Sequence, residues 1–158
     1  MSLFQFGFGL VSILVLGVLN RVMFAEIGLS ATLIGFLLAL PPLLSPLRLW
    51  LGHLSDNSTL LGYRRLPFII GGMLLASVGV MGGTAGAIVI PSSFGPGVIL
   101  ASIAFACYGM GKNAMATTFQ ALIADVFEDE VRPRATSTLK AAFILGIVGG
   151  SVGLGRVV

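Results

Sequence analysis

Charged side chains are scarce in this sequence: Asp, Glu, Lys and Arg together make up only 9% of its 158 residues. Soluble domains carry about 25% charged residues, so this chain has too few charges to cover a water-facing surface. Hydrophobic residues make up 56% of it, and its mean hydropathy is +1.05. These values predict an all-α membrane protein, folded as a single transmembrane helical domain over residues 1–158.

Histidine and cysteine are almost absent, with one residue of each. A single cysteine excludes an intrachain disulfide, and no Cys/His cluster or phosphate-binding G-x-x-x-x-G-K-[ST] loop is present. The net charge of +3 does not indicate nucleic-acid binding, because the basic residues stand at the ends of apolar segments and form no continuous patch. We therefore expect neither an enzyme nor a nucleic-acid partner.

What the sequence has in their place is long apolar segments, and about 20 mostly apolar residues suffice to cross a bilayer. Five segments are long enough, at about residues 3–24, 31–51, 66–90, 97–126 and 135–154. Pro41, Pro42 and Pro46 remove backbone donors from the second span and predict a kink there. Thr136 or Ser137 is expected to cap the fifth span.

The basic residues predict how the spans are oriented, because lysine and arginine are enriched in cytoplasmic connections. Arg64 and Arg65 follow the second span, and Arg132 and Arg134 follow the fourth. The opposite side holds few basic residues, such as Arg21. This pattern predicts a cytoplasmic N-terminus and a lumenal or periplasmic C-terminus.

The connection after the second span contains a recognisable pattern of glycine, acid and basic pair. Gly52 is followed by Asp56, and after a short insertion by Gly62, Arg64 and Arg65. This resembles the signature loop of the major facilitator superfamily. In that interpretation Gly52 permits a tight exit from the span, and Asp56 faces helix N-terminal amides. The alternative is the ordinary flanking of a span by positive charges.

Further motifs distributed over essentially the whole chain resemble one branch of that superfamily. They are Leu3-Phe4-Gln5, Leu19-Asn20-Arg21-Val22-Met23 with Glu26, Pro46-Leu47-Arg48, Gly62-Tyr63-Arg64-Arg65-Leu66-Pro67-Phe68, and Ala124-Asp125 through Arg132-Pro133-Arg134. Together they resemble the PucC-like, bacteriochlorophyll-delivery family. Members of this family have about twelve spans in two halves, so the resemblance implies an incomplete N-terminal half. Either a partner supplies the rest of a transport pathway, or the chain no longer transports.

The resemblance implies a function in photosynthetic membranes, either a thylakoid or a photosynthetic inner membrane. The chain would handle chlorophyll or bacteriochlorophyll and assist the assembly of light-harvesting or photosystem complexes; a carotenoid or lipid is a further possible ligand. Its partners would be membrane lipids and either subunits of a photosynthetic complex or a second membrane chain. Two alternatives are a structural subunit fixed in such a complex and half of a small-solute transporter completed by a second chain.

Polar side chains inside the fourth span are candidate ligand-binding groups, because a charge at mid-helix costs about 2.5–3.5 kcal/mol to insert. Lys112 lies near the middle of that span. Beyond it, Asn113, Thr117 and Gln120 fall on one face of a helix at about 100° per residue. Interhelical hydrogen bonding is the alternative explanation for this stripe.

A second candidate group, Asn20, Arg21 and Glu26, closes the first span. Its alternative explanation is that long polar side chains extend to the membrane interface. The family resemblance also implies a ligand for the magnesium of a chlorophyll. Oxygen donors suit this hard ion, so Glu26, Asn113 and Gln120 are the candidate magnesium ligands.

Overall fold

The described part of the chain is entirely helical, which confirms the predicted fold class. The computed structural model describes residues 1–57 and 65–157. Within these ranges it contains six α-helices and one π-helical turn and no strand. They are α1 (Ser2–Arg21), the π-helical turn (Val22–Glu26), α2 (Ala31–Leu43), α3 (Leu47–Asn57), α4 (Leu66–Val89), α5 (Phe94–Val126) and α6 (Arg132–Val157).

Five helical segments of the described chain are long and apolar enough to cross a membrane, in agreement with the five predicted spans. They are Ser2–Glu26, Ala31–His53, Leu66–Val89, Phe94–Val126 and Arg132–Gly153. The first joins α1 to the π-helical turn, and the second joins α2 to α3. Large apolar side chains such as Leu3, Leu49 and Met81 stand exposed on these segments. Such surfaces suit lipid, which needs no polar covering.

The last two spans begin earlier than predicted, and proline explains both differences. Helix α5 begins at Phe94 and not at residue 97, and α6 begins at Arg132 and not at residue 135. Each has a proline in its first turn, where the missing N–H costs nothing because that donor has no intrahelical partner. The predicted cap at Thr136 or Ser137 is therefore wrong. Ser137 lies inside the helix, and its hydroxyl donates to the Pro133 carbonyl at 2.8 Å.

The second span extends past its predicted end at residue 51, since α3 continues to Asn57. The prediction that Gly52 forms a tight exit from the helix is wrong, because Gly52 lies within α3. A glycine alone does not end a helix; it costs only about 1 kcal/mol relative to alanine. Its effect here is on packing: a Cβ at Gly52 would lie 3.4 Å from the Thr117 methyl of α5.

The helices group into two compact units, and α5 is divided between them. The terminal unit comprises Met1–Glu26 and Ile123–Val158, and the central unit comprises Ile27–Leu122. The single transmembrane domain predicted from the sequence stays a prediction.

In the terminal unit, α1 packs against α6 through small residues. A Cβ at Gly9 would collide with the Phe143 backbone, and one at Gly146 would collide with the Phe6 carbonyl. The rings of Phe8 and Phe143 lie 5.6 Å apart between centroids. Because lipid is as apolar as leucine, close backbone approach and dispersion hold such helices together.

In the central unit, α4 packs against α5 in the same way. A Cβ at Gly72 would lie 2.8 Å from the Gly111 carbonyl oxygen, and one at Gly86 would lie 2.6 Å from the Ala101 nitrogen. Gly79 stands equally close to the backbone of Tyr108. Three glycines of α4 therefore admit the α5 backbone, which fixes how α5 presents its other faces.

Candidate functional site

The predicted kink of the second span is present as a break between α2 and α3, and it leaves the Pro41 backbone carbonyl without its helical donor. Pro46 has no N–H, so the Pro42 carbonyl lacks the donor that a continuous helix supplies four residues on. The Ser45 N–H bonds to the Pro42 oxygen at 3.0 Å as a replacement. The carbonyl of Pro41, for which Ser45 is the regular donor, thereby loses its partner.

Asn113 of α5 supplies the missing donor. Its Nδ2 donates to the Pro41 carbonyl at 3.4 Å, and its Oδ1 accepts a 2.8 Å hydrogen bond from Arg48 Nε. Asn113 is only 3% exposed. Gly109, one turn earlier on α5, allows this approach, since a Cβ there would lie 2.6 Å from Pro41 Cα. We call these two bonds the Arg48–Asn113–Pro41 link; they tie the break in the second span to α5.

Lys112 stands beside this link and adds a second positive charge. Its Nζ lies 5.9 Å from the centroid of the Tyr108 ring, which is cation–π distance. Lys112 is half-buried, and it directly precedes Asn113, to which the Arg48 guanidinium bonds. No aspartate or glutamate occurs in residues 27–53 or 65–122. These two ranges therefore provide no carboxylate to neutralise the two cations.

The predicted polar stripe is divided among different environments. Asn113 is buried in the link, Thr117 packs its methyl against Gly52, and Gln120 is exposed. Asn113 thus forms the interhelical hydrogen bonds offered as the alternative explanation. Thr118, which sequence reasoning missed, is 1% exposed; a threonine in an apolar helix gives no signal that separates it from its neighbours.

Arg48 is a further candidate for a functional role. The sequence pattern indicated this residue only as part of the Pro46-Leu47-Arg48 motif. A signal was present in the sequence. Arg48 lies in the second span, five residues before its end at His53, and arginine inside a span requires a partner.

The second predicted group lies at the exposed end of the first span. Asn20, Arg21 and Glu26 are all exposed, whereas Met23 inside the π-helical turn is fully buried. Single π-helical turns are frequent at functional sites. A ligand-binding role for these residues stays a prediction.

Arg132, the first residue of α6, caps the end of α5. Its Nη2 donates to the Ala124 carbonyl at 3.0 Å and to the Phe127 carbonyl at 3.4 Å, and Nη1 lies 2.7 Å from Asp129 Oδ1. A cation is unfavourable at the start of α6 but favourable beside the last carbonyls of α5, to which this side chain reaches back. Arg134 is exposed, and Asp125 makes an interaction of its own.

The signature-loop pattern is only partly covered. Gly62, Arg64 and the side chain of Asp56 lie outside the described residues. Arg65 immediately precedes α4, and its carbonyl accepts a 3.2 Å bond from the Ile69 N–H. The function of this loop stays a prediction.

Among the described residues, no group of three or more His, Cys, Asp or Glu side chains is arranged to hold a metal ion. Cys107 is a free, half-buried thiol. The predicted role of Glu26, Asn113 and Gln120 as magnesium ligands stays a prediction.

Comparison with known proteins gives a family and several relatives. The family described as PUCC protein matches residues 18–158. An uncharacterized protein in the puhA-bchM intergenic region of Rhodobacter capsulatus is 35% identical, covering 93% of this chain and 32% of that protein. Protein PucC of Cereibacter sphaeroides is 33% identical, covering 98% of this chain and 36% of its own length.

A third relative carries a pigment in its name. The bacteriochlorophyll synthase 44.5 kDa chain of Rhodobacter capsulatus is 31% identical, covering 97% of this chain and 35% of that protein. The chain thus spans about a third of the length of the curated relatives it matches. No solved structure matches it.

Proposed function

Because the chain belongs to the PUCC protein family, we propose that it handles chlorophyll or bacteriochlorophyll in a photosynthetic membrane and assists the assembly of light-harvesting or reaction-centre complexes. Family membership is the observation that carries this proposal. The name of the relative called bacteriochlorophyll synthase 44.5 kDa chain supports the pigment part. In this proposal the chain holds a pigment and does not convert it, so it is not an enzyme.

The proposed mechanism combines apolar helices for the pigment tail with one oxygen donor for the magnesium. Glu26 and Gln120 are exposed on spans, so a ligand has access to both. The oxygen of Asn113 already accepts a bond from Arg48 and is buried, so we favour Glu26 and Gln120 over Asn113.

The proposal includes the finer expectations from the family resemblance. These are a major facilitator type of fold, subunits of a photosynthetic complex or a second membrane chain as partners, and a carotenoid or lipid as an additional ligand. Nucleic acid is not among the proposed partners.

The test measures bound pigment in the purified full chain. The chain is expressed in a bacteriochlorophyll-producing bacterium and extracted in mild detergent, and its pigment content is read from the absorbance spectrum. We expect Glu26→Leu or Gln120→Leu to reduce the pigment-to-protein ratio. Leucine is apolar and favours membrane insertion, so misfolding is a poor explanation of a loss.

Lys140→Leu is the matched control. Lys140 is an exposed residue in α6, and a protonated ammonium cannot ligate a metal, so this variant should retain its pigment. Wild-type protein without pigment, or full retention by both test variants, contradicts coordination by these side chains. Stoichiometric retention of a pigment-free chain in a purified photosynthetic complex favours the structural-subunit alternative.

A further inference from the structure

Two cations, Arg48 and Lys112, lie beside Asn113 in the central unit. Arg48 is exposed and bonds to Asn113 through Nε, and Lys112 directly precedes Asn113 in α5. Residues 27–53 and 65–122 contain no carboxylate. Charges in a membrane span pair with one another or with polar groups, because burying them alone is costly. Neither range therefore supplies a negative charge to the pair.

The position of Lys112 argues against the explanation that both side chains simply extend to the membrane interface. An arginine near a span end can extend to the interface, but Arg48 bonds to Asn113, the residue after Lys112. Both cations therefore lie near the middle of α5, where Lys112 is at least about 20 Å from either end at 1.5 Å per residue. Its side chain remains over the Tyr108 ring, which is a weaker partner than an anion.

The geometry points to a binding site for the oxyanion head group of an amphiphile, formed by Arg48 and Lys112; we propose a phosphate or a carboxylate carried on an apolar tail. The bond to Asn113 is made by Arg48 Nε and does not involve the two Nη atoms. A guanidinium group can bind a planar or tetrahedral oxyanion through two parallel N–H donors. Leu49, the next residue of α3, is 84% exposed. Its side chain offers apolar surface for the tail.

Two sources share this chemistry, an anionic phospholipid and a tetrapyrrole with a free carboxylate. The proposal does not rest on the proposed pigment function, since phosphatidylglycerol would also satisfy the site. Two pairs of probes distinguish the sources on the full chain in neutral detergent. Dioleoyl phosphatidylglycerol is compared with dioleoyl phosphatidylcholine, and the free acid chlorophyllide a with its ester chlorophyll a. Bound lipid is counted by native mass spectrometry, and pigment by fluorescence titration.

We expect the anionic member of at least one pair to bind about tenfold more tightly than its neutral counterpart, as a charge-assisted hydrogen bond provides. Arg48→Gln and Lys112→Met should each remove most of that preference. Lys140→Met, which removes an exposed cation from α6, should leave it unchanged. Asn113→Asp should also weaken anion binding although both cations remain, because it places a competing carboxylate beside Arg48.

The wild-type comparison decides the question if a variant fails to fold. Equal binding of the anionic and neutral members of both pairs overturns the proposal, and so does unchanged preference in folded Arg48→Gln and Lys112→Met. A response confined to one pair identifies the source. Absence of bacteriochlorophyll from the purified chain would contradict the proposed function and leave the phosphatidylglycerol result intact, so the two failures are distinguishable.

Discussion

At the scale of single residues, the side-chain amide of Asn113 replaces a backbone N–H as the hydrogen-bond donor to the Pro41 carbonyl. The bonding pattern around Pro46 leaves the Pro41 carbonyl without its regular partner, and lipid offers no replacement. Asparagine suits the position because its side chain donates and accepts at once. It satisfies Pro41 with Nδ2 and holds Arg48 with Oδ1.

Asn113→Leu should therefore lower the free energy of unfolding by about 1–3 kcal/mol, the cost of a buried polar group left unpaired. Leucine has a similar volume, so the change isolates the lost hydrogen bonds from cavity effects. Unfolding of the purified protein in detergent, followed by circular dichroism, measures it. Ser77→Ala is the control, since its exposed hydroxyl bonds only to the Met73 carbonyl of its own helix. Equal stability of both variants would show that the link contributes nothing.

The sequence predicted part of this site. A polar group in an apolar span marked Asn113 as a residue that needs a partner. It did not predict which partner, because Arg48 is 65 residues away and its direction depends on how the proline break turns α3. The exposed Gln120 and the packed Thr117 share the helix face of Asn113 in the sequence pattern. Only the neighbouring helix decides which of them is buried.

At the scale of elements, the five spans were predictable and their ends were less so. Length and apolar composition determine a span, and both are properties of the sequence alone. The starts of α5 and α6 were missed because Pro96 and Pro133 begin helices as readily as they interrupt them. The extension of α3 was missed because helix hydrogen bonds continue into polar residues beyond the hydrocarbon.

Adjacent glycines on α4 provide a matched pair that tests helix packing. A Cβ at Gly72 would meet the Gly111 oxygen at 2.8 Å and the Met115 nitrogen at 3.0 Å, whereas one at Gly71 would meet nothing within 4 Å. Gly72→Ala should thus destabilise the protein by about 1–3 kcal/mol through overpacking. Gly71→Ala should be neutral or stabilising by up to about 1 kcal/mol, since alanine favours helix.

Thermal unfolding in one detergent compares the two variants directly. They differ by one position along α4 and carry the same chemical change, so effects on expression or insertion are shared. An equal shift in both midpoints would contradict the close approach of α4 and α5.

At the scale of the whole molecule, the distribution of basic residues leads to a topology prediction. Arg132 is the first residue of α6, so reporter fusions after Asp129, in the connection that precedes it, should report the cytoplasm, as should fusions after Thr59. Fusions after Gly28 and after Ser92 should report the opposite side, because an odd number of spans separates them from the first two positions.

Paired alkaline phosphatase and fluorescent-protein fusions at the four positions measure this. Each fusion serves as a control for the others, since consecutive connections must lie on opposite sides of the membrane. A cytoplasmic signal after Ser92, or an external signal after Asp129, would reverse or break the predicted arrangement.

The contacts between α4 and α5 recur at a fixed interval, and this has a consequence for handedness. Gly72, Gly79 and Gly86 meet Met115, Tyr108 and Ala101, so both helices repeat every seven residues, or about 3.5 residues per turn. A straight helix drifts by about 20° per seven residues, and a left-handed supercoil removes the drift. The two helices should therefore wind around each other in the left-handed sense. Inserting one residue between Gly79 and Gly86 would rotate Gly86 by about 100° about the axis of α4 and remove its contact with α5.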